Sequence, residues 1–251
     1  MGERLKGKRI IITGAATGIG KEAVKQFVAE GAKVVIGDIN EKDASATAKE
    51  IGANVHFIRC DVTSEDSVKA LIDDGAKWLG GLDVLCNNAG LQHSGKVTEF
   101  DAKHWDALMA VNVRAHFFAS KYAVAHMRKA GGGSIINTAS LAGQRGGPGM
   151  TAYSASKGAV IAFTTSLAME LAPDKIRVNV ICPGWVDTPF NNPAIAFMGG
   201  REAQDRAVKG MVPLGRQGVP SEIAPMFVYL ASNESSYMTA QAITIDGGVY
   251  N

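Results

Sequence analysis

Short apolar runs alternate along the chain with longer segments in which apolar residues recur every three to four positions. The short runs predict seven strands, at residues 9–12, 33–38, 54–60, 84–87, 134–138, 177–182 and 242–246. Several of these runs are apolar at consecutive positions, which is typical of strands with helices packed on both faces. The pattern therefore predicts a parallel sheet between two layers of helices.

The longer segments have the apolar spacing of helices, at residues 20–30, 43–51, 65–79, 102–129, 153–172 and 222–231. Ser64 and Ser221 precede two of them in the position of N-caps. Strands and helices alternate without a Pro/Ser-rich linker or a charge block, so we expect a single α/β domain over residues 1–251. The predicted fold class is a doubly wound parallel sheet with helices on both faces.

One segment, residues 188–218, interrupts this alternation. It is rich in Pro, Gly and Asn and is too long for an ordinary connection between a strand and a helix. An insertion of this kind predicts a lid or binding loop over a site.

The composition limits the function classes to consider. Hydrophobic residues make up 46% and charged residues 20% of the chain, as in a typical folded globular protein. The net charge of +2 is spread without a basic cluster, which disfavours nucleic acid as a partner. Residues 1–8 have no secretory pattern, and no stretch reaches the roughly 18 apolar residues of a spanning helix. We therefore expect a cytoplasmic protein with no membrane partner.

The cysteines and histidines give no support to a metal site. Cys60, Cys86 and Cys182 lie far apart, each in or beside an apolar run, and the five histidines form no HExxH pair. We expect buried, reduced thiols and no metal cofactor.

A glycine-rich turn joins the first strand to the first helix, with the sequence TGAATGIG at residues 13–20. Glycines at such a turn let the backbone approach a pyrophosphate, whose charge meets free N–H groups at the start of the helix. A tight turn alone would also explain the glycines. The candidate contacts to a dinucleotide here are Gly14, Thr17, Gly18, Ile19 and Gly20.

An acidic residue, Asp38, ends the second predicted strand. At this position a carboxylate can accept hydrogen bonds from both hydroxyls of an adenosine ribose, and its charge repels a 2'-phosphate. Thr17 and Ile39 flank the ribose position and are not the arginines that would pair with such a phosphate. NAD is therefore predicted as the cofactor in preference to NADP.

The full set of motifs resembles the short-chain dehydrogenase/reductase family over essentially the whole chain. The set comprises TGAATGIG, Asp38, CDV at residues 60–62, NNAG at 87–90, Ser140, YSASK at 153–157 and PG at 183–184. The TGxxxGxG spacing differs from the GxGxxG of other Rossmann-type enzymes, and its combination with YxxxK is very specific. The resemblance implies a Rossmann-type fold. It also implies a homotetramer that pairs the helices beginning near Ala102 and Tyr153 and uses the strand end at 246–248.

The resemblance also assigns the remaining cofactor contacts. Asp61 and Val62 correspond to contacts with the adenine ring. The cofactor path and its nicotinamide end correspond to Asn88, Ala89, Gly90, Pro183, Gly184, Val186 and Thr188, together with Tyr153 and Lys157.

Tyr153 and Lys157 are four residues apart in a helical pattern, so their side chains project from one face. A phenol is a poor base at neutral pH, but a lysine charge about 4 Å away would stabilise the phenolate by roughly 4 kcal/mol. With a positive nicotinamide ring nearby, we expect a Tyr153 pKa near neutrality. Tyr153 would then remove the hydroxyl proton of an alcohol while its carbinol hydride leaves for the cofactor.

Two further polar residues complete the candidate catalytic set. Ser140 ends the fifth predicted strand, at the sheet edge where ligands bind, and could hydrogen-bond a developing alkoxide. Asn112 resembles the family member that holds a water molecule between the lysine and solvent. Each residue alone would have an ordinary surface or capping role, but together they predict an NAD-dependent oxidoreductase acting on a secondary alcohol or its ketone.

The first part of the predicted lid, residues 189–198, is uncharged and offers aromatic, aliphatic and thioether surface. We therefore expect a largely apolar substrate of small to medium size. The opposite wall would come from Gln92, His93, Gln144 and Met150, and Gln92 or His93 could fix one polar group. Arg145 supports the alternative of an anionic substrate, since a guanidinium could clamp a carboxylate or phosphate.

Three other functions stay open. One is an NADPH-dependent 3-oxoacyl reductase of the same family, against which Asp38 argues. The second is a non-catalytic NAD(H) sensor on the same fold, against which the complete catalytic set argues. The third, a sugar-nucleotide epimerase, would require a larger C-terminal substrate domain than the segment after Thr188 provides.

Overall fold

The computed structural model describes residues 2–250. Its seven strands form one parallel sheet in the order β3-β2-β1-β4-β5-β6-β7. They are β1 (Arg9–Thr13), β2 (Lys33–Asp38), β3 (Val55–Arg59), β4 (Val84–Asn87), β5 (Gly133–Thr138), β6 (Ile176–Pro183) and β7 (Ala242–Ile245). The predicted doubly wound α/β fold is confirmed, and every predicted strand is present within about two residues of its expected ends.

The helices are α1 (Gly18–Ala29), α2 (Glu41–Ile51), α3 (Glu65–Leu79), α4 (Ala102–Met109), α5 (Ala115–Ala130), α6 (Thr151–Leu171), α7 (Asn192–Phe197), α8 (Arg201–Met211) and α9 (Pro220–Ala231). The predicted helix over 102–129 is divided by a π-helical turn, Ala110–Arg114, between α4 and α5. The long segment after β6 contains the two short helices α7 and α8. The sequence pattern did not predict them, because Pro and Gly residues interrupt the apolar spacing of this segment.

The core has two halves, one on each face of the sheet, because neighbouring strand residues point to opposite sides. Ile10 and Ile12 of β1 pack in one half with Phe27 of α1 and Phe227 of α9. Ile11, between them in sequence, packs in the other half, which also contains residues of α3, α5 and α6. This two-sided burial explains why the strand sequences are apolar at consecutive positions.

The two predicted N-caps have different outcomes. The Ser64 side chain accepts a hydrogen bond from the Ser67 N–H at the start of α3, as predicted. Ser221 is not a cap, because α9 begins one residue earlier at Pro220, whose fixed φ suits the first helical position. There the Glu222 carboxylate accepts from the Val219 N–H at 2.9 Å.

Within residues 2–250, no helix combines the length and apolar character needed to cross a bilayer. The same residues contain no group of three or more His, Cys, Asp or Glu side chains arranged to hold a metal ion. All three cysteines are buried and free.

The strand order reverses between β1 and β4, which are neighbours in the sheet although two strands separate them in sequence. In doubly wound folds this reversal leaves a crevice at the carboxyl ends of the strands. The glycine turn, Asp38, the NNAG segment, Ser140 and the PG segment all lie at or just after strand ends on this edge.

Candidate active site

A cleft of about 1230 Å³ lies along the carboxyl edge of the sheet. It is lined by Ser140, Tyr153 and Lys157 and by all the other predicted cofactor contacts, namely Gly14, Thr17, Gly18, Ile19, Gly20, Asp38, Ile39, Asp61, Val62, Asn88, Ala89, Gly90, Pro183, Gly184, Val186 and Thr188. Asn112 is fully buried and does not line the cleft.

The glycine turn after β1 has no room for side chains at two of its positions. A Cβ at Gly14, where φ is +67°, would lie 2.5 Å from the Ala89 Cα, and one at Gly20 would lie 2.4 Å from the Gly14 carbonyl oxygen. At Gly18 φ is +60°, and a Cβ would project toward Thr188, whose Cγ2 is 3.6 Å away. The turn is therefore a backbone cradle at the start of α1, of the shape that a pyrophosphate requires.

Side chains from neighbouring elements hold this cradle in place. The Asn88 amide donates to the carbonyl oxygens of Gly14 at 2.7 Å and Thr13 at 3.2 Å. The Thr13 hydroxyl accepts from the Asn88 and Ala89 N–H groups, both at 3.2 Å. The Thr47 hydroxyl of α2 donates to the Ala16 carbonyl at 2.9 Å. Asn88 thus supports the turn as well as lining the cleft, a role that its motif did not reveal.

The far end of the cleft is acidic. Asp38 ends β2, and its two carboxylate oxygens accept from the N–H groups of Ala16 and Asn40, each at 2.9 Å. Beside it Ile39 is 58% exposed and offers an apolar surface. Hydrogen bonds from the Thr63 hydroxyl and N–H lower the pKa of Asp61, so this carboxyl is ionised at neutral pH.

Tyr153 and Lys157 lie one turn apart at the start of α6, and both are almost completely buried. The Lys157 Nζ is 5.9 Å from the centre of the Tyr153 ring and donates to the Thr138 carbonyl at 2.9 Å. Burial lowers the pKa of Lys157 to about 8, because desolvation disfavours its charged form. The ammonium is therefore protonated at neutral pH but releases its proton more readily than a surface lysine.

The Tyr153 pKa expected near neutrality is for the site with a nicotinamide ring bound, and the phenol of the protein by itself differs from it. Burial raises the pKa of the Tyr153 phenol well above its ordinary value, and hydrogen bonding with Ser140 lowers it only in part. Desolvation dominates because the ring enters a closed protein environment in which a phenolate is poorly solvated. In the protein by itself, Tyr153 is a neutral hydrogen-bond donor.

Ser140 and Asn112 have defined positions around this pair. The Ser140 hydroxyl follows β5 and accepts from the Ala142 N–H at 3.1 Å. The Asn112 amide lies in the π-helical turn, where its oxygen accepts from the Leu91 N–H at 2.7 Å. Its nitrogen donates to the Leu91 carbonyl and the Ser156 hydroxyl, both at 2.9 Å. The Asn112 side chain thus braces the loop after β4 against α6.

His116 is a buried titratable group near this site that no sequence motif identified. Within residues 2–250, neither of its ring nitrogens makes a hydrogen bond of good geometry, although the nearby Asn87 backbone slightly opposes the lowering of its pKa. Burial, helped by the charge of Lys157, lowers its pKa to about 3. The imidazole is therefore neutral at neutral pH.

The end of the cleft where the sequence predicts substrate binding lies between the loops after β4 and β5 and the segment after β6. Gln92 and Met150 line it, as predicted. His93 and Gln144 do not: His93 stacks on His104 with ring centres 4.2 Å apart, and the Gln144 side-chain oxygen accepts from the Thr244 hydroxyl at 2.9 Å.

Arg145 lines the mouth of the cleft and is exposed, and its guanidinium donates to the Val249 carbonyl at 3.0 Å. The segment after β6 contributes the apolar residues Phe190, Ala194, Phe197 and Met198. Sequence reasoning missed Trp185, Ala207, Met211 and Val249, which also line the cleft but belong to no recognisable motif.

Comparisons with known proteins agree with this geometry. A family model described as enoyl-(acyl carrier protein) reductase matches residues 14–250. An uncharacterized oxidoreductase of Bacillus subtilis is 41% identical, with the alignment covering 98% of this chain and 92% of the relative. A 3-oxoacyl-(acyl-carrier-protein) reductase of Thermotoga maritima is 39% identical over 98% and 99% of the two chains. A 3-alpha-(or 20-beta)-hydroxysteroid dehydrogenase of Mycobacterium bovis is 38% identical over 99% and 91%.

Proposed function

The chain belongs to the short-chain dehydrogenase/reductase family, and from this premise we propose that it is an NAD-dependent oxidoreductase that interconverts a secondary alcohol and its ketone. The observation that carries the proposal is the convergence of Ser140, Tyr153 and Lys157 in the cleft that also holds the glycine cradle. Proton-transfer groups and a dinucleotide-binding surface in one cleft are what hydride transfer at a carbinol carbon requires.

The residues of the cleft fit a nicotinamide dinucleotide. The backbone cradle at Gly14 and Gly18 would hold the pyrophosphate, Asp38 the adenosine ribose, and the wall near Gly184 and Thr188 the nicotinamide end. When bound, the nicotinamide ring supplies the acceptor or donor of the hydride.

Residues of the chain itself would carry out the proton transfer. The Tyr153 hydroxyl, removed from water, exchanges a proton with the substrate oxygen, and Ser140 hydrogen-bonds that oxygen as its charge develops. Lys157 keeps a positive charge near the phenol, which favours the phenolate at the moment of transfer. A positive charge on the bound nicotinamide would add to this effect and offset part of the desolvation.

Asp38 and its neighbours favour NAD over NADP. A 2'-phosphate on the ribose would meet the Asp38 carboxylate, and neither Thr17 nor Ile39 offers a cation to pair with it.

The second candidate function is an NADPH-dependent 3-oxoacyl reductase, favoured by the name of the Thermotoga maritima relative. The third is a non-catalytic NAD(H) sensor, which the complete catalytic set disfavours.

The substrate is proposed to be a largely apolar secondary alcohol of small to medium size, with oxidation as the physiological direction. Phe190, Phe197 and Met150 give the substrate end of the cleft an apolar surface. Arg145 is the residue that could favour an anionic substrate, but it lies at the exposed mouth.

The proposal is tested by following nicotinamide absorbance with NAD and NADP and a panel of alcohols and ketones. Aliphatic and aryl secondary alcohols are compared with hydroxy acids, sugars, steroids and 3-oxoacyl thioesters. We expect apolar secondary alcohols and NAD to give the highest kcat/KM, and Phe197→Ala to reduce it more than Arg145→Ala. A preference for hydroxy acids that disappears only in Arg145→Ala would contradict the apolar substrate. NADH binding without turnover of any compound would favour the sensor.

We also propose that the protein forms a homotetramer. Phe117 of α5 and Met169 of α6 are exposed apolar side chains on the long helices that we propose to pair at an interface. Association would remove such side chains from water. Light scattering during size-exclusion chromatography should give four times the mass of one chain, and a monomer mass would contradict this proposal.

A further inference from the structure

The segment after β6, residues 188–218, is closed at its base. Val186 and Gly218 form a parallel bridge, in which the Asp187 N–H donates to the Gly218 carbonyl and the Gly218 N–H to the Trp185 carbonyl, each at 2.9 Å. Both ends of the segment therefore start from one point beside the sheet. We call residues 188–218 the lid.

The Gln92 side chain joins the lid to the loop after β4 by a hydrogen bond. Its side-chain oxygen accepts from the Ala194 N–H of α7 at 3.1 Å, and its nitrogen donates to the Ser94 hydroxyl at 3.1 Å. Gln92 is only 3% exposed, so this bond is protected from competing water. The Gln92 amide thus hydrogen-bonds to other groups of the protein, whereas the sequence suggested that it could bind a polar group of the substrate.

The loop that carries Gln92 is linked by hydrogen bonds to α6, the helix of Tyr153 and Lys157. Leu91, the preceding residue, is held at both its N–H and its carbonyl by the Asn112 amide. Asn112 also donates to the Ser156 hydroxyl, which donates in turn to the Tyr153 carbonyl at 2.7 Å. A continuous chain of hydrogen bonds therefore runs from the backbone of Tyr153 to the loop that presents Gln92.

On the lid side, two aromatic residues pack against the rest of the site, Phe197 of α7 and Phe190 in the turn before it. Phe197 packs so closely on Gly149 that a Cβ there would lie 2.2 Å from the Phe197 ring. The Phe190 ring lies 6.3 Å from that of Tyr153. After α7, Gly199 and Gly200 have φ of +93° and +106°, and a Cβ on either would meet no atom within 4 Å. This glycine pair ends α7, and its N–H groups donate to the carbonyls of Ala196 at 3.1 Å and Ile195 at 2.8 Å.

We propose that Gln92 is a positioning residue that holds α7 over Tyr153 and so keeps the lid closed on the substrate. The inference rests on the proposed function, because the lid has a purpose only if substrate binds beneath it. Gln92 acts by its hydrogen bond with the Ala194 N–H, and it takes no part in the transfer of the proton or the hydride. Losing its bond should loosen the lid and weaken substrate binding while leaving the chemistry of Tyr153 intact.

The first test is hydrogen exchange of peptides covering residues 189–198 in the whole protein. Gln92→Met keeps the length of the side chain but removes the acceptor. It should raise exchange in these peptides about fivefold, the factor expected for one neutral hydrogen bond. Gln144→Met is the matched control, because Gln144 is a loop glutamine outside the cleft, and it should leave these peptides unchanged. Unchanged exchange in Gln92→Met would overturn the proposal. Since this readout needs no turnover, it decides the role of Gln92 even if no substrate is found.

The second test uses the donor side of the same bond. Ala194→Pro removes the N–H that donates to Gln92, in the first turn of α7, where this N–H has no partner within the helix. Each single variant should raise KM for the alcohol about fivefold with a smaller change in kcat. The double variant should be no worse than the more impaired single variant, because both changes break one bond. Additive effects, or a fall in kcat with KM unchanged, would show that Gln92 does not act by holding the lid. Thermal unfolding of each variant checks that the fold is retained.

Discussion

Tyr153 and Lys157 are both removed from water, and this decides which protonation states they favour. Burial raises the pKa of the phenol and lowers that of Lys157 to about 8, so the neutral form of each is favoured relative to an exposed side chain. In the proposed mechanism, proton transfer would therefore depend on the charge of the bound cofactor and substrate. Each residue contributes through its environment as much as through its chemical type.

Tyr153→Phe should lower kcat for the alcohol at least 100-fold, because it deletes the proton-transfer hydroxyl and keeps the ring. NADH binding, followed by fluorescence titration, should change little. Tyr122→Phe is a matched control, since the Tyr122 hydroxyl donates to Glu65 away from the cleft and its loss should leave kcat unchanged. Turnover of Tyr153→Phe within tenfold of the wild type would remove Tyr153 from the mechanism.

Asp38→Ser should reduce the preference for NAD over NADP, measured as the ratio of kcat/KM for the two cofactors, by at least about tenfold. The change removes the ribose acceptor and the negative charge that opposes the 2'-phosphate. Asp43→Ser removes a carboxylate on α2 that does not line the cleft, so the ratio should stay as in the wild type. If the wild type uses NADP as well as NAD, the proposed cofactor preference is incorrect.

At the scale of elements, the π-helical turn and the lid are the features that depart from regular alternation. The π-helical turn places Asn112 against Leu91 and Ser156, and so links the loop after β4 to α6. The lid brings the aromatic side chains of Phe190 and Phe197 to the cleft. Irregular segments therefore build the end of the cleft that is proposed to bind substrate, whereas regular strands and α1 build the end proposed to bind the cofactor.

Gly149→Ala tests how closely α7 is seated. The substitution is strained because φ is +74°, and its Cβ would collide with the Phe197 ring. We expect KM for the alcohol to rise more than kcat falls, with a loss of stability of about 1–2 kcal/mol. Gly131→Ala is the control: φ is +86° but no atom lies within 4 Å of its Cβ, so it should lose stability without a change in KM. Equal kinetic effects of the two variants would mean that the contact with Phe197 does not matter.

At the scale of the whole molecule, one sheet edge collects residues from position 14 to position 249 into a single cleft. The two halves of the core fix the strand ends on which these residues lie. Global stability and site geometry are therefore linked, and buried polar groups near the site affect both.

His116 gives a pH dependence of stability that can be measured. Its pKa falls from an ordinary 6.5 to about 3 on folding, so the unfolded chain binds more protons between these values. Above about pH 6.5 His116 is neutral in both states and does not lower the free energy of unfolding. As the pH falls, the free energy of unfolding decreases, by about 2 kcal/mol at pH 5, because protons bind the unfolded chain. In urea unfolding at pH 7.5 and pH 5, the wild type should therefore lose about 2 kcal/mol more than His116→Leu. Equal losses would show that His116 is not buried in its neutral form.

The seven strands, the glycine turn, Asp38 and the Tyr153–Lys157 pair could all be predicted from the sequence. Each depends on local rules: the period of apolar residues, the conformational freedom of glycine and the spacing of side chains on a helix face. Because parallel strands end at one edge, these local features also predicted that the motifs would meet.

Only the tertiary structure decided how the substrate end is built. The bond between Gln92 and Ala194 joins positions 102 residues apart, and Val249 reaches the cleft from the end of the chain. No local pattern encodes such contacts, because they arise when separately formed elements pack against each other. The pKa values of Tyr153 and His116 belong to the same class. They depend on desolvation, which is a property of everything packed around a side chain and not of its neighbours in sequence.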